Sequence, residues 1–204
     1  MKGKIAHGVE NHLIPERKFF IIHIVWKEGQ RNGTSTGRKE TDMVRTDKEN
    51  YYLDIAETVL ERGTCLRRNY GAIIVCNDEI VSSGYNGAPR GRANCIDCGV
   101  CIREKLGIPR GERYEVCRSV HAEANAIISA SRKEMLGATL YLVGRDAHTG
   151  EYVEHASSCS MCKRMVINAG ITRVVIRDTK TEYRVVEVKD WIEHDESLEG
   201  LFGY

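Results

Sequence analysis

The stretch S-V-H-A-E-A-N-A-I-I, Ser119 to Ile128, sets an imidazole and a carboxyl two residues apart, and S-S-C-S-M-C, Ser157 to Cys162, sets two thiols three apart. One imidazole and two thiolates make the nitrogen and sulfur donor set that zinc prefers, and three protein donors leave a fourth position for water. Glu123, beside a donor but free of the metal, could accept a proton from that water and deliver it to a substrate. At about 100° per residue, His121 and Glu123 would point to nearly opposite faces of a helix. They can serve one site at a first turn, where Cα–Cβ bonds tilt toward the N-terminus and the side chains converge beyond the helix end. Cys159 and Cys162, neighbours at i and i+3, fit a second helix start, where thiolate is favoured over thiol. The spacing therefore asks for two helix N-termini meeting around one ion.

Each piece alone is weak. A single histidine at a helix start is usually a cap or a satisfied surface residue, and a single C-x-x-C can be redox active. The order H-x-E followed by P-C-x-x-C is specific, being the signature of zinc deaminases that act on nucleobases. One residue departs from it: Ser158 stands where the pattern has proline. Serine is a good N-cap, so Ser158 is expected to start the second helix equally well.

The elements that must position these groups can be read in outline. Y-Y-L-D-I-A-E-T-V-L brings Leu53, Ile55, Ala56, Val59 and Leu60 near helical spacing, and Gly63 ends that helix. G-A-I-I-V-C-N-D-E-I-V-S-S-G-Y-N-G reads as an antiparallel hairpin turning at Asn77-Asp78. Residues 84 to 118, rich in Gly, Pro, Arg and Cys, read as a long loop, a length that calls for a function or an internal brace. A helix from about His121, a strand Ala138 to Gly144, a helix from about Cys159 to Ala169 and a strand ending at Arg177 follow. Arg184 to Val188 could add an edge strand. Strands alternating with helices imply an α/β sheet covered on both faces.

With T-C-L-R-R-N-Y-G-A-I-I-V, G-Y-N-G-A-P-R-G, C-R-S-V-H-A-E-A-N-A-I and C-S-M-C-K-R-M-V-I-N-A-G-I, the chain resembles the cytidine deaminase superfamily, and within it the deoxycytidylate (dCMP) deaminases, from about Tyr51 to Arg177. The resemblance implies a three-layer α/β/α cytidine-deaminase-like fold with a five-stranded mixed sheet, and hydrolytic deamination of dCMP to dUMP, supplying dUMP for thymidylate synthesis. It implies that His121, Cys159 and Cys162 hold a catalytic zinc, that Glu123 moves protons as water adds to C4 of cytosine and ammonia leaves, and that Asn86 lies against the sugar. It further implies a homo-oligomer, a hexamer in many members, with dCTP and dTTP as effectors. Some members carry a second, structural zinc. Cys65, Cys95, Cys101 and Cys117 occupy the corresponding places, with Cys98 as an alternate; reduced free thiols are the other reading. Cys76, in an apolar strand, reads as core. Arg67, Arg68, Arg90, Arg92 and Arg118 flank the expected site and could meet a phosphate.

The bulk composition agrees with a small-ligand enzyme. The chain has 204 residues, enough for one well-buried core, and a formal charge of +1 argues against a broad nucleic-acid surface. Its eight cysteines lack a convincing secretory signal, so cytoplasm is the expected compartment. The apolar run Phe19 to Trp26 is far too short to span a bilayer. We expect a poorly specified extension over 1–42, with Met43 a candidate start, a deaminase domain over 47–190 and a tail over 191–204. Two alternatives stand beside dCMP: a related cytosine nucleoside or amino-heterocycle as substrate, or a catalytically silent, zinc-bound nucleotide-sensing subunit.

Overall fold

The computed structural model describes residues 45–109 and 111–195. The extension over 1–42, Met43, the Phe19 to Trp26 run and the end of the tail lie outside them. The elements are helix α1 (Lys48–Leu60), strands β1 (Arg68–Cys76) and β2 (Glu79–Tyr85), short helices α2 (Cys95–Cys98) and α3 (Ile102–Lys105), a 3-10 turn Tyr114–Val116, helices α4 (Ala122–Ile128) and α5 (Arg132–Met135), strand β3 (Thr139–Asp146), helix α6 (Ser160–Ala169), strands β4 (Arg173–Arg177) and β5 (Tyr183–Glu187), and helix α7 (Val188–Glu193). The boundary expected at 190 falls inside α7. None of the described helices is long and apolar enough to cross a membrane.

The five strands form one sheet in the order β2-β1-β3-β4-β5. Only β3 and β4 run parallel, joined by the α6 crossover; the other neighbours are antiparallel. The sheet is therefore mixed and five-stranded, as the resemblance implies. At the hairpin tip Asn77 and Asp78 have φ of 49° and 70°. Positive φ at both central residues suits the right-handed twist of the flanking strands, and Asn and Asp tolerate it.

Period two divides the inward residues of β1 between two cores. Ile73 and Val75 meet Leu53, Ala56 and Leu60 of α1 on one face, with Tyr141, Val143 and Val175. Ala72 and Ile74 face the other way, onto Ala122 and Ala126 of α4 and Val166 of α6, with Leu140, Leu142, Val174 and Ile176. The layers are thus α1, sheet, then α4 with α6. Central strands buried on both faces carry continuous apolar runs, which is why β1 and β4 read as short uninterrupted hydrophobic stretches in sequence.

The 84–118 segment is less irregular than expected, since it holds α2, α3 and the 3-10 turn. Its ends are drawn together by an isolated antiparallel bridge between Gly87 and Val120. Gly87 and Val120 exchange backbone hydrogen bonds of 3.2 and 2.8 Å, so the loop leaves β2 and returns beside it to begin α4.

Candidate metal centre and catalytic cleft

Helix α4 is fixed to the sheet by small residues and two polar clasps. Ser82 Oγ donates to Ala126 O at 2.8 Å, and Asn125 Nδ2 donates to Tyr85 O at 2.7 Å. Gly84 allows the helix to lie directly on β2: a Cβ there would stand 2.4 Å from both Ala122 O and Ala126 N. The N-terminus of α4 is thereby held with little freedom. Its N-cap is His121 in extended backbone, φ −72° and ψ 156°, and Glu123 lies in the first turn.

The second half of the site comes from α6. Its N-cap is Cys159, φ −69° and ψ 165°, and Cys162 is in the first turn. This corrects the expectation that Ser158 caps the helix: Ser158 stands just before it, and its hydroxyl has no hydrogen-bond partner. His121 Nδ1 lies 3.4 Å from both Cys159 Sγ and Cys162 Sγ. Among the described residues these three form the one group of metal-ligating side chains whose donor atoms all lie within 4.8 Å of one another. Zn–S near 2.3 Å and Zn–N near 2.1 Å at a tetrahedral angle would separate nitrogen from sulfur by about 3.6 Å. The observed spacing thus fits a zinc ion with only a slight adjustment.

The electrostatics of the donors suit a cation. The hydrogen bond between the two thiols holds Cys159 below the usual thiol range and pushes Cys162 above it. The pair thus shares a proton that a divalent ion would displace. At His121 burial opposes the charged form, but the hydrogen bond with Cys159 and the nearby Glu123 outweigh it and raise the imidazole. Glu123 is only 4 % exposed, and burial raises its carboxyl above the ordinary range. A carboxyl shifted toward neutrality in this way is suited to accept and release a proton.

A cleft of about 110 Å³ opens onto these groups, lined by His121, Glu123 and Cys159 together with Asn86, Arg67 and Arg68. Asn86 is buried, with Oδ1 accepting Tyr70 N–H and Nδ2 donating to Arg68 O, both at 2.8 Å. One lone pair and one amide hydrogen stay free. Of the five arginines singled out from sequence, Arg67 and Arg68 line the cleft, whereas Arg90, Arg92 and Arg118 do not. Arg67 pairs with Glu104 at 3.3 Å, and Arg118 donates to Ala93 O at 2.8 Å.

Sequence reasoning missed Arg103, which also lines the cleft and is 6 % exposed. Its Nη2 donates to Pro109 O and Glu112 O, both at 2.6 Å, while Nε is buried without a partner. The guanidinium stacks 4.4 Å from the centroid of Tyr114, whose ring meets His121 edge-on at 5.0 Å. An arginine in a polar loop carries no sequence mark of burial; only the approach of Pro109, Glu112 and Tyr114 to its guanidinium creates it.

The remaining cysteines gather near the cleft without forming a second tight donor group among the described residues. Cys65, Cys101 and Cys117 line it, Cys95 is buried and Cys98 is exposed. Burial first, then the charges of the other three cysteines, raises Cys95; burial also leads the upward shift of Cys117, with Cys65 and Cys101 contributing. The four are thus within electrostatic reach of one another. Cys76 packs at the edge of the core, as expected, with its thiol 3.8 Å from Leu136 O.

Two helix N-termini presenting one imidazole, two thiols and a buried free carboxyl to a cleft on an α/β/α sheet define a zinc-dependent hydrolytic enzyme. The chain belongs to the cytidine and deoxycytidylate deaminases: residues 46–178 match the family model described as the cytidine and deoxycytidylate deaminase zinc-binding region. It is 35% identical over 138 residues to the deoxycytidylate deaminase of Mycobacterium phage D29, covering 65% of this chain and 96% of the relative. It is 30% identical over 173 residues to the deoxycytidylate deaminase of Schizosaccharomyces pombe, covering 85% of this chain and 48% of the relative. The chain therefore spans nearly all of the phage relative and about half of the yeast one. Among solved structures, dCMP deaminase from the cyanophage S-TIM5 in apo form is similar at 26% identity and a TM-score of 0.45, over 63% of this chain and 81% of the other.

Proposed function

We propose that the chain catalyses the hydrolytic deamination of dCMP to dUMP, supplying dUMP for thymidylate synthesis. The observation that carries this reading is the meeting of His121, Cys159 and Cys162 within donor reach of one another, with Glu123 buried beside them in a cleft bordered by arginines. His121, Cys159 and Cys162 would hold zinc, which when bound supplies the Lewis acidity that brings the pKa of a water into reach of a carboxylate. Glu123 carries the two protons that the water gives up, one to ring N3 as the oxygen adds to C4 and one to the departing exocyclic nitrogen. Burial raises the carboxyl above its ordinary range, so it holds an accepted proton more readily than an exposed glutamate would.

Specificity follows from the rest of the cleft. Asn86 has one donor and one acceptor left for the sugar, and Arg67, Arg68 and Arg103 give the cleft cationic character suited to a monophosphate. We assign Cys65, Cys95, Cys101 and Cys117 to a second, structural zinc that braces the 84–118 segment. Their mutual electrostatic reach supports this reading, with Cys98 as an alternate. A cytoplasmic homo-oligomer, a hexamer regulated by dCTP and dTTP, completes the proposal on the strength of the family resemblance.

The test is loss of absorbance with dCMP compared with deoxycytidine, cytidine and cytosine at equal concentration. Turnover of dCMP in preference to the others is expected. Turnover of the unphosphorylated compounds alone would overturn the substrate assignment.

A further inference from the structure

Ser158 carries a buried hydroxyl that the fold does not use. Helix α6 starts with Cys159 as its N-cap, so the Ser158 side chain caps nothing. The residue is 3 % exposed, and Oγ has no hydrogen-bond partner. The neighbouring Ser157 hydroxyl turns elsewhere, donating to Ser158 O at 3.3 Å. A buried donor left without a bond lowers stability, so a hydroxyl retained in this condition calls for a reason. Its surroundings supply one. The next residue is Cys159, whose Sγ lies 3.4 Å from His121 Nδ1, and the Glu123 carboxyl is buried at the same junction of α4 and α6. The Ser158 hydroxyl lies near that carboxyl, although the two do not make a hydrogen bond of ordinary geometry.

We propose that Ser158 is a positioning residue for Glu123: its hydroxyl donates to one carboxylate oxygen and fixes the carboxyl plane, leaving the other oxygen to take and return the proton. This rests on the proton-transfer role given to Glu123 above. The balance holds in two transfers: Glu123 moves one proton of the water to ring N3 as the oxygen adds to C4, and the second to the amine as the C4–N bond breaks. The product keeps N3–H and C4=O, ammonia leaves, and Ser158 keeps its own hydrogen throughout. Proline, which the H-x-E and P-C-x-x-C pattern places here, has no such donor. The contribution therefore comes from the residue at which this chain departs from the pattern.

The test is a double-mutant cycle on the zinc-loaded full chain, with Ser158→Ala, Glu123→Gln and the pair, alongside Ser158→Thr. In Ser158→Ala, kcat with dCMP should fall roughly tenfold or more, in keeping with loss of a hydrogen bond to a charged group. KM should stay within about twofold of wild type, since the substrate's own contacts are intact. Zinc per chain and the thermal midpoint should both stay near wild type, since Ser158 neither ligates the metal nor caps α6. Ser158→Thr should recover most of the rate, and Ser158→Ala should cost little more when added to Glu123→Gln. An unchanged kcat in Ser158→Ala beside an active wild type would overturn the inference alone. The same loss whether Glu123 is intact or replaced, or a parallel fall in zinc content and thermal midpoint, would show a merely structural role and overturn it too. A wild-type protein inactive on every cytosine compound would instead overturn the functional reading, and this inference with it.

Discussion

The division of labour between His121 and Glu123 rests on one turn of backbone. His121 lies in extended conformation as the N-cap of α4, so its imidazole turns toward the thiols of α6, while Glu123 stays in the first turn and is buried. Replacing Glu123 by Gln keeps the size and removes the proton acceptor. We expect kcat to fall by roughly 10²–10⁴, the usual worth of a positioned acid–base group, with zinc content and fold retained. Turnover and metal analysis on the same preparation check this, and unchanged turnover sinks the mechanism. Cys162 presents the opposite case. It is fully buried, and Cys162→Ala should remove zinc from the site, leaving a chain that elutes with about one metal ion fewer than wild type. Retention of the full metal content would show that the three donors do not act together.

At the scale of elements, the site depends on how closely two helices approach the sheet. Gly84 and Gly71 have similar roles on opposite faces. A Cβ at Gly84 would meet Ala122 O at 2.4 Å, whereas one at Gly71 would meet Ala56 O at 2.1 Å. Backbone atoms cannot swing aside as a flexible side chain can, so either alanine must push a helix outward, at about 1–3 kcal/mol. The functional consequences should differ. Gly84→Ala displaces α4, which carries His121 and Glu123, and should lose both stability and most of kcat. Gly71→Ala displaces α1, which carries none of the donors, and should lose stability while the folded fraction keeps its rate. Denaturant unfolding and kcat per folded molecule separate the two, and equal kcat losses would contradict this account.

Over the whole molecule, a charge cluster ties α1 to the C-terminal ends of the central strands. Arg177, fully buried at the end of β4, donates to Asp54 and Glu57, each at 2.7 Å, and to Asn50 O and Oδ1 at 3.1 Å. Lys180 joins the same carboxylates at 2.9 and 3.2 Å, and Arg145 also pairs with Glu57. Arg177→Met should cost about 3 kcal/mol. That is the low end for a broken buried pair, because Asp54 is partly solvated. Acid should weaken the same region. Burial works against the Asp54 anion, but hydrogen bonds from Lys180 and Arg177 outweigh it and hold its pKa below 3.8. Backbone and side-chain hydrogen bonds from Asn50 lower Asp47, and Lys48 with Tyr52 lowers Asp78. A folded pKa below the unfolded one means that these carboxylates stabilise the fold above about pH 4 and lose that contribution as pH falls through their folded values. Urea midpoints measured from about pH 6 down to about pH 2.5 should therefore decline below about pH 4, and a midpoint rising over that interval would reverse the sign.

The sequence by itself determined the chemistry and the order of the elements. H-x-E and C-x-x-C fix donor types and their separation along the chain, and a helix N-terminus is the local geometry that reconciles a spacing of two with one site. Apolar runs marked the central strands because burial on both faces demands them. Even α5, which went unforeseen, left a legible mark: Ser131 N–H and Oγ both donate to Glu134 in an S-x-x-E capping pattern. What only the tertiary structure decided are facts about pairs of residues far apart in the chain. Sequence could not tell that Ser158 would stand outside its helix with an unused hydroxyl, because N-cap preference is local and the start of α6 is set by packing on the sheet. Nor could it separate Arg67, Arg68 and Arg103 from Arg90, Arg92 and Arg118, since every one is an arginine in or beside a polar loop. Their burial depends on how residues 84–118 fold back over the site, and that is settled by long-range contacts that no local pattern encodes.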